Sequence, residues 1–119
     1  MSGLYIHIPF CRQACSYCDF YFSVSLAKKA QMLEAIKKEI SFKGNVLKKL
    51  DTIYLGGGTP SLLNEIELQD LLDTVHQNFL VSPKAEVTIE TNPDDITLPY
   101  ANHLARLGFN RVSIGHTEF

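Results

Sequence analysis

Leu4, Ile6 and Ile8 alternate with Tyr5 and His7 until Pro9 ends the run, and that period of two predicts a first strand. From Ser25 the period lengthens. Met32, Leu33, Ile36 and Ile40 fall on one helical face, Lys28, Lys29, Lys37 and Lys38 lie elsewhere, and Gly44 offers a C-terminal stop. Thr52 to Leu55 is a short β-type run that leads straight into Gly56-Gly57-Gly58-Thr59-Pro60. Asn64 can then cap a second helix with Glu67 three residues on, and Leu68, Leu71, Leu72, Val75 and Phe79 repeat at helical spacing. Val87 and Ile89 alternate against Glu86, Thr88 and Glu90 in a third strand over Glu86 to Thr91, and Asn92-Pro93-Asp94-Asp95 has turn chemistry. A third helix is expected from about Leu98, with Thr97 as cap, Pro99 in its first turn and Gly108 as stop, before a fourth strand at Arg111 to Ile114.

The order β-α-β-α-β-α-β predicts an α/β fold of parallel strands joined by right-handed crossovers. With helices covering Leu4/Ile6/Ile8, Ile53/Leu55, Val87/Ile89 and Val112/Ile114, the opposite face carries Tyr5, His7, Tyr54, Thr88, Glu90, Arg111 and Ser113. A closed barrel packed solid would place branched apolar residues there, so a polar face suggests a wide or partial barrel that holds a ligand. The unusual loops all follow strands, where parallel α/β folds bind their ligands.

Composition narrows the classes. The chain has 119 residues, 45% of them apolar, and a net charge of -2, which suits one globular unit and gives no basic footprint for nucleic acid. No apolar run reaches the roughly 18 residues of a membrane span and no signal-peptide pattern opens the chain, so a cytoplasmic location is the expectation. All three cysteines, Cys11, Cys15 and Cys18, lie in a Cys-x3-Cys-x2-Cys array directly after the first strand. An odd, tightly spaced set does not close into internal disulfides and points to metal. Two readings stay open on the thiols alone: a [4Fe-4S] cluster held by three cysteines with one iron left for substrate, or a zinc site completed by His7.

The array, with Tyr17 before the last cysteine, resembles the radical S-adenosylmethionine (SAM) superfamily. Tyr5-x-His7-Ile8-Pro9-Phe10-Cys11, Gly56-Gly57-Gly58-Thr59-Pro60, Glu90-x-Asn92-Pro93 and Arg111-Val112-Ser113-Ile114-Gly115 resemble the group of oxygen-independent coproporphyrinogen III oxidases and haem chaperones (HemN and HemW) over nearly the whole chain. The resemblance implies that Cys11, Cys15 and Cys18 hold a [4Fe-4S] cluster. It implies that SAM is met by Tyr5, by the backbone at Tyr17, by Gly57, Gly58 and Thr59, and by Glu90. No residue is assigned as catalytic.

Cys18-Asp19-Phe20 stands where the oxidase branch usually has glycine and a further cysteine after the last cluster ligand, and it is similar to the HemW-like branch. The resemblance therefore implies haem or porphyrin as partner, with an electron donor and a haem-accepting protein, and porphyrinogen oxidation as the alternative. An inactive or zinc-binding fragment is the remaining one. Thr117 stands where the family has a glutamine that contacts SAM. The fold class implied is the N-terminal portion, about four strands and three helices, of a partial TIM-like barrel. The barrel's second half and a C-terminal domain are expected to be absent from residues 1–119, leaving edges at Leu4 to Ile8 and Arg111 to Ile114 open to self-association.

Overall fold

The computed structural model describes residues 2–8, 18–57, 63–91, 93 and 96–114, without the side chains of residues 18–27, 45 and 46. Seven elements follow one another: β1 (Gly3–Ile8), α1 (Cys18–Lys43), β2 (Asn45–Gly57), α2 (Glu65–Asn78), β3 (Phe79–Thr91), α3 (Leu98–Leu107) and β4 (Arg111–Ile114). The strands form one sheet in the order β1-β2-β3-β4, every neighbouring pair parallel, so β1 and β4 are its edges. The α/β class, the element order and the parallel pairing are those expected from the hydrophobic pattern.

Three elements are longer than their periodicity indicated. α1 begins at Cys18, not Ser25. Its first turns carry Phe20, Tyr21, Phe22, Ser23 and Val24, aromatic, hydroxyl and β-branched residues of weak helix propensity. β2 starts at Asn45 and β3 at Phe79, and register shifts at Asn45/Lys49 and Leu50/Thr52 break the period of two in the early part of both. Phe79, expected to continue α2, instead has extended backbone at φ -139°, ψ 158° and opens β3.

The core forms where the helices meet the apolar face of the sheet. Ile8, Ile53, Leu55 and Ile89 are fully buried, joined by Leu68, Leu71, Leu72 and Val75 from α2 and by Leu33 and Ile40 from α1. α2 is anchored by a complete capping box. The Glu67 N–H donates to Asn64 Oδ1 at 2.8 Å and the Asn64 N–H donates to Glu67 Oε1 at 2.8 Å. Buried Leu63 and Leu68 occupy the two positions of a hydrophobic staple around that cap. Lys29 of α1 pairs with the capping Glu67 at 3.2 Å, and Lys37 bridges Asp70 at 2.6 Å and Glu34 at 2.9 Å, tying α1 to α2.

α3 begins as its sequence indicates, with Thr97 Oγ1 accepting from the Tyr100 N–H at 3.3 Å and Pro99 in the first turn. It ends at Gly108, whose φ of +106° is the left-handed stop glycine favours. Asn110 then joins β3 before β4 begins. Its Oδ1 accepts from the Val87 N–H at 2.8 Å, its Nδ2 donates to Ala85 O at 2.9 Å, and its own N–H donates to Val87 O at 3.0 Å. Val112 and Ile114 depart from expectation: they share the apolar face but remain 44% and 54% exposed. β4 is the last strand in the sheet, and no described helix follows it to cover that side.

Candidate functional site

Strand alternation sends the polar residues to the face away from the core, and the parallel register sets them in two rows. One runs Tyr5, Tyr54, Thr88 and Arg111; the next, toward the carboxyl ends, runs His7, Gly56, Glu90 and Ser113. The side chains gather around Glu90. The Tyr54 hydroxyl donates to Glu90 Oε2 at 2.7 Å, and the Gly57 N–H donates to Glu90 Oε1 at 3.1 Å. The Tyr5 ring stacks on Tyr54 with centroids 5.7 Å apart and planes at 24°, while its hydroxyl lies 3.2 Å from His7 Nδ1. Ser113 also reaches the Tyr54 hydroxyl. All four strands thus contribute to a linked set: Tyr5 and His7 from β1, Tyr54 and Gly57 from β2, Glu90 from β3 and Ser113 from β4.

Two glycines make this arrangement fit. A methyl group at Gly56 would lie 2.9 Å from the Tyr54 ring and 3.0 Å from the Glu90 carboxylate, so the bare backbone lets the carboxylate lie over β2. Gly57 has φ +111°, and a methyl group there would meet Ile8 O at 2.6 Å and the His7 ring at 2.9 Å. Its positive φ accompanies an N–H that donates to the Glu90 side chain, at the last residue of β2, which is registered with Ile8 of β1.

The electrostatics follow from the carboxylate. Tyr54 is raised above the ordinary phenol value, first by its hydrogen bond to Glu90; the bond from Ser113 opposes this, and burial adds to it. Tyr5 is also raised, by burial first and then by the Glu90 charge. Both phenols therefore stay neutral near pH 7, and the Glu90 carboxylate is framed by hydroxyls and a stacked aromatic pair, while the other carboxylate of this face, Glu86, is paired with Arg111 at 3.1 Å. Each Glu90 oxygen keeps accepting capacity beyond its one protein donor, which suits a cationic ligand.

Of the residues singled out in the sequence, Tyr5, Gly57 and Glu90 are brought together. Cys11, Cys15, Tyr17, Gly58, Thr59 and Thr117 lie outside the described residues, as does the Cys18 side chain, although its backbone opens α1. Among the described residues no three His, Cys, Asp or Glu side chains gather as a metal site. The sequence marks Tyr54 and Ser113 only as members of the polar face. The signal that could have found them is register: once Gly56 is set opposite Glu90, Tyr54 falls one row away on the same face and Ser113 falls beside Glu90.

A parallel βα sheet with an acidic, glycine-bordered polar face at its carboxyl rim defines a ligand-binding α/β protein of the open-barrel kind. Its family follows from residues 5–119, which match the profile of the Radical SAM superfamily, and the chain belongs to that superfamily. Membership implies a [4Fe-4S] cluster and SAM. The chain is 38% identical to the Heme chaperone HemW of Synechocystis sp. (strain ATCC 27184 / PCC 6803 / Kazusa), over 99% of its own length and 30% of that relative's. It is 35% identical to the Oxygen-independent coproporphyrinogen III oxidase of Escherichia coli (strain K12), over 98% of its own length and 26% of that protein's. The solved coproporphyrinogen III oxidase (HemN) from Escherichia coli, described as a radical SAM enzyme, superposes with a TM-score of 0.79 at 32% identity, covering 98% of this chain and 28% of the other. The chain thus spans about 30% or less of the length of these relatives. Among the described residues no helix is long and apolar enough to cross a membrane.

Proposed function

We propose that this chain is the SAM-binding N-terminal part of a radical SAM domain that handles haem in the manner of HemW. The observation that carries the reading is the Glu90 carboxylate, fixed by the Tyr54 hydroxyl and the Gly57 N–H on the ligand-facing side of the strand ends. In this reading Cys11, Cys15 and Cys18, which follow β1, hold the [4Fe-4S] cluster. When bound and reduced, the cluster supplies the electron that cleaves the SAM sulfonium.

The protein's own part is binding and orientation. Glu90 accepts from the ammonium of the methionine moiety with the oxygen capacity its two protein donors leave free, and it is already oriented, so little ordering is lost on binding. Gly57, Gly58 and Thr59 lie around the methionine portion, where the two glycines allow close backbone approach, and the Tyr17 backbone meets the adenine. The exposed face of Tyr5 supplies a flat wall favourable to a nearby cation. Haem handling is supported by Cys18-Asp19-Phe20 and by the HemW relative. A second reading, coproporphyrinogen oxidation, is supported by the likeness to the oxidase structure.

Anaerobic reconstitution of the chain with iron and sulfide tests the cluster, and equilibrium binding of labelled SAM to the loaded protein tests the site. Under reductant, 5'-deoxyadenosine is expected; a cluster-loaded chain that neither binds SAM nor forms it overturns the radical SAM reading. Haem titration separates the branches, a stoichiometric Soret change supporting the chaperone reading and none refuting it for this chain. Zinc at one equivalent in anaerobically purified protein, with no iron retained after reconstitution, would establish the zinc alternative.

A further inference from the structure

Tyr54 is not itself a ligand contact in the proposed site, yet it meets three of the residues that form it. Its hydroxyl donates to Glu90 Oε2 at 2.7 Å, its ring stacks on Tyr5 at 5.7 Å, and Ser113 reaches the same hydroxyl from β4. Glu90 needs such a support. Its carboxylate lies over Gly56, which offers no side chain to pack against, and the Gly57 N–H fixes only Oε1. With Oε2 released, the carboxylate could turn about its last torsion, which is broad and roughly two-fold.

We infer that Tyr54 is a positioning residue for SAM, holding the Glu90 carboxylate toward the ligand-facing side while its ring fixes the plane of Tyr5. The inference rests on the SAM-site reading and concerns binding, not the chemical step. The hydroxyl and the ring are separable: Tyr54→Phe removes the donor to Oε2 and keeps the stack. A hydrogen bond to a charged group contributes enough that its loss should weaken SAM binding by about tenfold.

The test is a double-mutant cycle on the full chain, loaded with its cluster and read by equilibrium dialysis of radiolabelled SAM up to millimolar concentration. Tyr54→Phe should raise the dissociation constant about tenfold in the wild-type background and by less than about twofold in a Glu90→Ala background. A merely structural role for Tyr54 would weaken binding equally in both, and that result overturns the inference. So does a Tyr54→Phe protein that binds SAM like wild type. Wild-type chain that holds its cluster but binds no SAM refutes the underlying site reading instead, so the two failures are distinguishable. A second measurement needs neither cluster nor Tyr54→Phe. In the wild-type chain a tyrosine should ionise above the ordinary phenol range, and Glu90→Gln should move that transition to lower pH. An unmoved transition shows that the bond is absent in solution and also overturns the inference.

Discussion

Gly57→Ala tests how the rim of the site is built. The substitution forces a side chain onto a residue at φ +111° and places its methyl group 2.6 Å from Ile8 O and 2.9 Å from the His7 ring. The conformational part costs about 1–2 kcal/mol. The steric part requires β1 to yield, because the nearest atom is a backbone carbonyl, and overpacking of this kind costs about 1–3 kcal/mol. Reduced freedom of the unfolded chain returns about 0.4–1 kcal/mol. The net loss is then about 1–4.5 kcal/mol, and Gly108→Ala supplies the control. Gly108 has nearly the same φ, +106°, but nothing lies within 4 Å of a methyl group there, so only the conformational part applies. Urea unfolding of both variants reads the difference. With m of about 2 kcal/mol/M, Gly108→Ala should lower the midpoint by about 0.8 M or less, and Gly57→Ala by about 0.5–1.5 M more than Gly108→Ala. Equal shifts would refute the assignment of a close β1–β2 approach at Gly57.

Asn64→Ala removes the side-chain acceptor for the Glu67 N–H and should cost about 1 kcal/mol, measured by the same unfolding midpoint. Ile53→Ala, at a fully buried centre of the sheet, should cost about 2–5 kcal/mol and shift the thermal midpoint by several times the Asn64→Ala effect. Folding raises the Tyr54 phenol above its ordinary value of 10.0, so folding favours the neutral form. Its contribution to stability is complete below that value and is lost as pH rises through the raised one. Denaturation midpoints followed upward from pH 9 should therefore fall more steeply for wild type than for Tyr54→Phe.

Where a local rule operates, the chain announces its structure. The Asn64–Glu67 box, the Thr97 cap, Pro99 and the Gly108 stop each lie within a few residues of what they determine, and each occurs as its sequence indicates. The alternation at Leu4–Ile8 likewise separates the more buried from the exposed face, because a strand turns over every residue, whereas on β3 Thr88 is buried along with Val87 and Ile89. What the local pattern does not carry depends on contacts between distant segments. The early parts of β2 and β3 pair through shifted registers, so Lys48, Lys49 and Pro83 interrupt any local strand signal although the chain is extended there. The start of α1 at Cys18 runs against local propensity. Tyr54 is legible as a polar-face residue, but its bond to Glu90 bridges 36 positions and required the register of β2 on β3. The exposed Val112 and Ile114 show the converse, an apolar alternation that is real while its covering layer is not among the described elements.

Asn110 makes no bond to Glu90, three residues beyond its partner Val87 on β3, yet it governs which side chains face a ligand. By answering both Val87 N–H and Ala85 O, its amide stands in for a strand residue before β4 has begun. The last strand is thereby indexed on its neighbour from its first position: Arg111 falls opposite Thr88, and Ser113 opposite Glu90. An offset of a single residue would turn Val112 and Ile114 to the carboxylate and Ser113 to the oily side. Asn110 therefore acts as an origin mark for everything read off β4, and a change at this exposed position would scramble the site without altering any residue in it.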